Sequence, residues 1–183
     1  MEVSTSLLVA LMFVTLLSMG IGNAVNTLSI IVEKGKKSGY SNLQVGWLGL
    51  LLISYFNMFW HVIDLLSVEK WGFLGFLYMM TGPLLIYFAT SILIATKNED
   101  EGQKILIRPL FFVLFMLLQF WIITVDLMLE KSVIEHSLLN IIIILIALIL
   151  MRNQDEKVQR YGLIASLGVV ILAVILRSLG VLI

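Results

Sequence analysis

The chain has 183 residues, of which 60% are hydrophobic and 13% charged, and its mean hydropathy is +1.05; a soluble domain is about 45–50% apolar and about 25% charged. Formal charge is zero and no basic stripe tracks along the sequence, which excludes nucleic-acid binding. The absence of cysteine excludes disulfides, thiolate metal sites and a cysteine nucleophile. Because the charges gather in short clusters between long apolar runs, the fold class expected is an all-α membrane protein.

Val3 to Val32 is a stretch of 30 residues without a charge, and it predicts a first membrane helix over about 4–32. This run is too long for the apolar core of a signal peptide, so the segment is expected to stay in the mature protein. Ser38 to Ile63 and Trp71 to Thr96 are also uncharged and predict helices over about 41–66 and 72–96. Pro109 to Val125, extended at both ends, predicts a fourth over about 105–130. Ser137 to Met151 has 15 uncharged residues, which cover only about 22 Å at the helical rise. The run from Asn140 is so apolar that a fifth crossing is expected over about 135–152, with Glu135 and His136 at the interface. The sixth, about 161–183, carries Arg177 toward the far interface by snorkelling. Residues 1–183 therefore form one domain, a bundle of six transmembrane helices.

Basic residues prefer cytoplasmic loops near helix ends. Six spans place Lys34, Lys36, Lys37, Lys97, Lys104, Arg108, Arg152, Lys157 and Arg160 on one side, and Lys70, Lys131 and Arg177 on the other. Nine against three orients both termini outward (N-out, C-out). Tyr40 and Tyr161 then lie at the inner interface, Trp60 and Trp71 at the outer one. The two halves, 1–96 and 97–183, share no repeat of the kind that builds many transporters.

Polar residues recur within the apolar runs. Ser54, Asn57, His61 and Asp64 in helix two are spaced to share one face, as are Gln119, Asp126 and Glu130 in helix four. Both sets grow more polar toward the outer side, where His136 and Arg177 also fall. Two readings stand. In one, the carboxylates sit at headgroup level and Arg177 pairs with one of them for packing. In the other, Asn57, His61, Asp64, Gln119, Asp126, Glu130, His136 and Arg177 line an outward-facing polar pathway for an ion or solute, because ionisable groups within spans tend to mark function. His61, Asp64, Asp126 and His136 are weak candidates for a metal site, since no recognised ligand signature joins them. Gly82 and Pro83 near the middle of helix three predict a kink, which is either a static packing feature or a hinge candidate. Ser18, Gly22, Asn26 and Ser29 in helix one form a small, polar stripe suited to close helix packing within the chain or between copies.

The segment from Trp71-Gly-Phe73 through Gly82-Pro83-Leu-Leu-Ile-Tyr87, preceded by Phe59-Trp60, resembles a group of small multi-span bacterial membrane proteins of uncharacterised function. The resemblance implies a bacterial cytoplasmic membrane, and its motif is aromatic and structural, so it transfers no active site. The chain departs from that group at Ala95-Thr96, where a proline is common.

Several enzyme signatures are missing, among them a His-x3-His pair, Gly-x-Ser-x-Gly and an intramembrane Glu-Glu pair. The expected function is a channel, carrier or sensor for a small ion or solute. The alternatives are a structural or accessory membrane subunit and a lipid-modifying membrane enzyme. No cofactor is predicted; the expected partners are the lipid bilayer and further copies of the chain.

Overall fold

The structure is a computed structural model that describes residues 5–68, 71–95, 107, 109–128, 133–153 and 155–178. Its elements are α1 (Thr5–Lys34), a 3-10 turn (Gly35–Ser38), α2 (Asn42–Ser67), α3 (Phe73–Ala95), α4 (Pro109–Met128), α5 (Val133–Arg152) and α6 (Glu156–Ser178). There is no strand among the described residues. Five helices, α1 to α4 and α6, are long and apolar enough to cross a membrane, whereas the apolar part of α5, Ser137–Arg152, is shorter.

Local chemistry sets the helix ends. The chain leaves α1 through Gly35 and Gly39, whose φ values of 53° and 77° lie in the left-handed region that favours glycine. Ser41 then caps α2. The Gln44 amide donates to Ser41 Oγ at 3.2 Å, and the Ser41 amide donates to Gln44 Oε1 at 2.8 Å, a reciprocal capping box. Helix α4 starts at Pro109 rather than near 105, because proline suits the first helical position, where its missing N–H is not needed. Residues 105, 106, 129 and 130, the outer parts of the expected fourth helix, lie outside the described residues. Helix α6 starts at Glu156 rather than 161. Asp155 Oδ1 accepts from the Lys157 amide at 2.9 Å, and Arg160 pairs with Glu156 at 2.5 Å, so a charged segment that reads as loop becomes the first turn.

The helices pack in a closed circuit: α1 on α2 and α3, α4 on α3 and α5, α6 on α5 and α2. Within lipid, apolar side chains gain little by leaving their surroundings, so association depends on van der Waals fit and close approach at small residues. The fit is aromatic. Trp47 of α2 lies edge-on to Phe111, Phe112 and Phe115 of α4, with ring centroids 5.2, 5.5 and 5.8 Å away. Phe13 of α1 stacks on Trp121 of α4 at 6.3 Å. Gly20 of α1 leaves room for the Tyr55 ring of α2, and the Tyr55 hydroxyl bonds Thr90 of α3 at 3.0 Å, which ties three helices at one buried point.

The outward stripe of α1 is a correction to packing within the chain. Ser18, Gly22, Asn26 and Ser29 are all exposed, and α1 packs instead through Phe13, Leu17, Gly20, Ala24 and Thr27. The inner face combines large residues with small ones, such as Gly20 under the Tyr55 ring, so fit to the neighbouring helices rather than polarity selects it.

Loops gather at two ends. The Tyr40 hydroxyl donates to the Ile94 carbonyl at 3.3 Å, and the Ile107 amide donates to Gln159 Oε1 at 3.2 Å. These bonds bring the connections after α1, α3 and α5 to one end, together with Lys34, Lys36, Lys37, Arg152, Lys157 and Arg160 among the described residues. At the other end Ser6 Oγ donates to the Val68 carbonyl. Burial raises the Tyr40 pKa above its ordinary value. The neutral phenol is therefore favoured by folding: its contribution is complete below the unfolded-state pKa of about 10 and is lost as pH rises through the higher folded value. Tyr40→Phe is expected to lower stability by about 0.5–1 kcal/mol at pH 7. Unfolding midpoints measured at pH 7 and 11 should fall further with pH in the parent chain than in the variant.

Candidate functional site

On α2, Ser54 and His61 are buried and Asn57 and Asp64 half-buried, so the polar stripe turns toward the other helices while Phe56, Phe59, Trp60 and Ile63 face outward. His61 is 2% exposed. Its Nδ1 lies 3.4 Å from Asp64 Oδ2, one turn further on, close enough for electrostatic attraction but without hydrogen-bond geometry. Asn57 and Asp64 each make a further interaction.

On α4, Gln119 and Asp126 are both buried, and Asp126 is only 1% exposed. Among the described residues Asp126 Oδ1 has no hydrogen-bond partner, and the last described turn of α4 holds no basic residue. Leaving a carboxylate oxygen buried and unpaired is expensive, which keeps Asp126 a candidate site residue. Asp126 and the His61–Asp64 pair occupy the same end of the structure, since α2 ends beside the start of α1 and α4 runs away from the Gln159 end. The structure joins His61 to Asp64; no bond links either of them to Asp126 among the described residues.

The remaining candidates divide by position. Glu130 lies outside the described residues. His136 and Arg177 belong to the helical backbones of α5 and α6, and their side chains lie outside the described set. Among the described residues no three His, Asp or Glu side chains come together around a common point. The four-residue metal set therefore reduces, within that range, to the His61–Asp64 pair and a separate Asp126.

Gly82 and Pro83 are buried, and α3 remains helical through both. Trp121 of α4 covers this point: its Nε1 donates to the Tyr78 carbonyl at 2.9 Å, and Thr81 Oγ1 donates to the same carbonyl at 2.6 Å. The Tyr78 hydroxyl in turn bonds Thr124. The proline is thus held from the neighbouring helix.

Sequence reasoning missed two features of this end. Ser137, near the start of α5, is buried, and neither its hydroxyl nor the Trp71 Nε1 has a hydrogen-bond partner among the described residues. Ser137 opens an uncharged run and gave no signal by type or spacing. Trp71 lines a groove of about 190 Å³ between α1 and α3, shared with Leu8, Met12, Phe73 and Phe76.

Five apolar helices of crossing length are the makeup of a multi-pass integral membrane protein. No protein-family model, curated protein or solved structure matches the chain.

Proposed function

We propose that the protein is a six-crossing membrane bundle with both termini outward, and that it serves as a channel, carrier or sensor for a small ion or solute entered from its outer end. The observation that carries this reading is the burial of His61 and Asp126 at the end opposite the basic loops, each with a polar atom that lacks a hydrogen-bond partner among the described residues. Ionisable groups are costly inside a membrane and persist where they meet a cavity, a partner or a transported species. The orientation is supported by the gathering of the basic loops at the opposite end. For the fifth crossing, α5 has 20 residues, or about 30 Å of helix, once the turn containing Glu135 and His136 is included. The likeness to small multi-span bacterial membrane proteins is consistent with this class and with a bacterial cytoplasmic membrane. Assembly from several copies is supported by the exposed small and polar face of α1, because an exposed Asn26 amide on a spanning helix is better paired than left in lipid.

A second reading, an accessory subunit whose polar groups only pack, is favoured by the approach of His61 to Asp64 within one helix, which lets that pair balance itself. Reconstitution separates the two. In liposomes, His61→Ala, Asp64→Ala and Asp126→Ala are each expected to change ion or solute flux at least ~10-fold, the effect of removing about 1.4 kcal/mol of interaction. Unchanged flux in all three sinks the pathway and leaves the accessory role.

A further inference from the structure

We infer that Trp47, set against Phe111, Phe112 and Phe115, is the gate of the outward pathway proposed above: this aromatic layer keeps it dry and closed at rest, and solute passes when the indole leaves the layer. The inference rests on that pathway and names what regulates it.

Trp47 lies near the start of α2 and its three phenylalanines near the start of α4. Both helices then run toward the same end. The end of α2 meets Ser6 near the start of α1, and Phe13, a little further along α1, stacks on Trp121 in the second half of α4. From the facing residues Trp47 and Phe112, steps of seven and fourteen lead to Ser54 and His61 on α2 and to Gln119 and Asp126 on α4. A step of seven returns to the same helix face with a drift of only about 20°. All six residues are buried. One face of α2 and one of α4 are therefore turned to the centre of the helix circuit, aromatic at one level and polar at the next two.

On these faces the polar groups stop at the aromatic layer. Leu43, one turn inward of Trp47 on α2, is again apolar and buried. All four rings are fully shielded, and Phe111 packs in turn on Phe112 and Phe115 at 5.3 and 5.9 Å. The rings thus fill the space that the α2 and α4 backbones leave between them. An apolar constriction of this kind closes a membrane pathway by excluding water, and an ion stripped of water does not cross it.

The closed arrangement is also incompletely satisfied. Trp47 Nε1 is buried and has no hydrogen-bond partner among the described residues, which disfavours this ring position relative to one that pairs the donor. Inward on α2, the Gln44 side chain is engaged in the cap with Ser41. Outward, Gln119 stands one turn beyond Phe115, a ring that touches Trp47. An indole turned outward therefore leaves the phenylalanines and approaches a polar side chain. One residue has two positions, packed but unpaired or paired but unpacked, and a gate needs two such states.

The test reads water, because an opened pathway passes water whatever its solute. The full chain is reconstituted in phosphatidylcholine liposomes, and their shrinkage in sucrose is followed by light scattering. Because the layer is closed at rest, the parent should shrink at the rate of protein-free liposomes. Phe115→Asn, which places an amide in the layer, should raise the rate of water flow through the protein at least ~10-fold, and Trp47→Phe, which keeps a smaller ring there, about 3-fold. Phe120→Asn, on the exposed face of α4, should leave the rate unchanged. Should Phe115→Asn fail to fold, Trp47→Phe still decides. A parent that already passes water faster than bare liposomes, a rate unchanged in both layer variants, or an equal rise in Phe120→Asn overturns the gate. If His61→Ala, Asp64→Ala and Asp126→Ala nevertheless alter flux, the outward pathway stands without it. Faster water in the layer variants, with flux indifferent to those three substitutions, does the reverse: the layer is the seal, and the outer polar groups are not the route.

Discussion

Trp47→Ala is expected to destabilise the folded chain by about 3–5 kcal/mol, the range for removing a large aromatic side chain from a packed interior. Trp47 is fully shielded and reaches from α2 to three phenylalanines of α4, helices whose backbones do not otherwise meet. Each edge-to-face pair adds about 0.5–1.5 kcal/mol beyond area. Lipid cannot flow into a hole enclosed by helices, so the cavity stays open and the lost contacts are not replaced. Trp47→Phe should behave differently. It removes volume, but it also removes an Nε1 donor that has no partner among the described residues; the two effects oppose, and a net change below about 1.5 kcal/mol is expected. Reversible unfolding in mixed micelles reads both variants. Equal losses for Ala and Phe would mean that the indole nitrogen, rather than the packing, holds the centre.

Trp47 also illustrates what could be read in the sequence. The helices were legible because membrane crossing is a demand on composition over some twenty residues, and α1 to α4 and α6 meet it plainly. Their ends were less so. Glu156 and Arg160 look like loop until the cap at Asp155 and their mutual pairing are seen, whereas Ser41-x2-Gln44 was a readable capping signature passed over beneath the apolar run. Which face turns inward was the harder question. In water, hydrophobic periodicity answers it; in lipid both sides of a helix are apolar, and shape decides. Spacing placed Ser54, Asn57, His61 and Asp64 on one face and could not say whether that face pointed in. The stripe of α1, equally regular, points out. Ser137 was invisible for a related reason, since its interest lies in a lost hydrogen bond, and satisfaction is a property of three-dimensional neighbours.

Gly82 shows how shape replaces polarity at such a contact, and Gly82→Ala is expected to destabilise by about 2–4 kcal/mol. A Cβ built on Gly82 falls 2.5 Å from two carbons of the Trp121 ring, well inside van der Waals contact. Overpacking of this kind costs about 1–3 kcal/mol when the neighbour can shift. Here the neighbour is anchored. Trp121 Nε1 is bonded to the Tyr78 carbonyl at 2.9 Å and its ring stacks against Phe13, so moving the indole forfeits a hydrogen bond worth about 1 kcal/mol and part of the stack. A smaller ring relieves the clash: the double variant Gly82→Ala with Trp121→Phe should recover at least ~1 kcal/mol relative to the sum of the singles, a coupling within the range for residues in contact. Pro83→Ala, in contrast, trims two buried ring carbons but returns a backbone donor to the helix; the two effects oppose, so the net change should stay within about 1 kcal/mol. Unfolding midpoints of the four variants place the strength of the α3–α4 joint in the glycine and its tryptophan cover or in the proline. If Pro83→Ala were the more damaging substitution, the ring-over-glycine account of this joint would have to be abandoned.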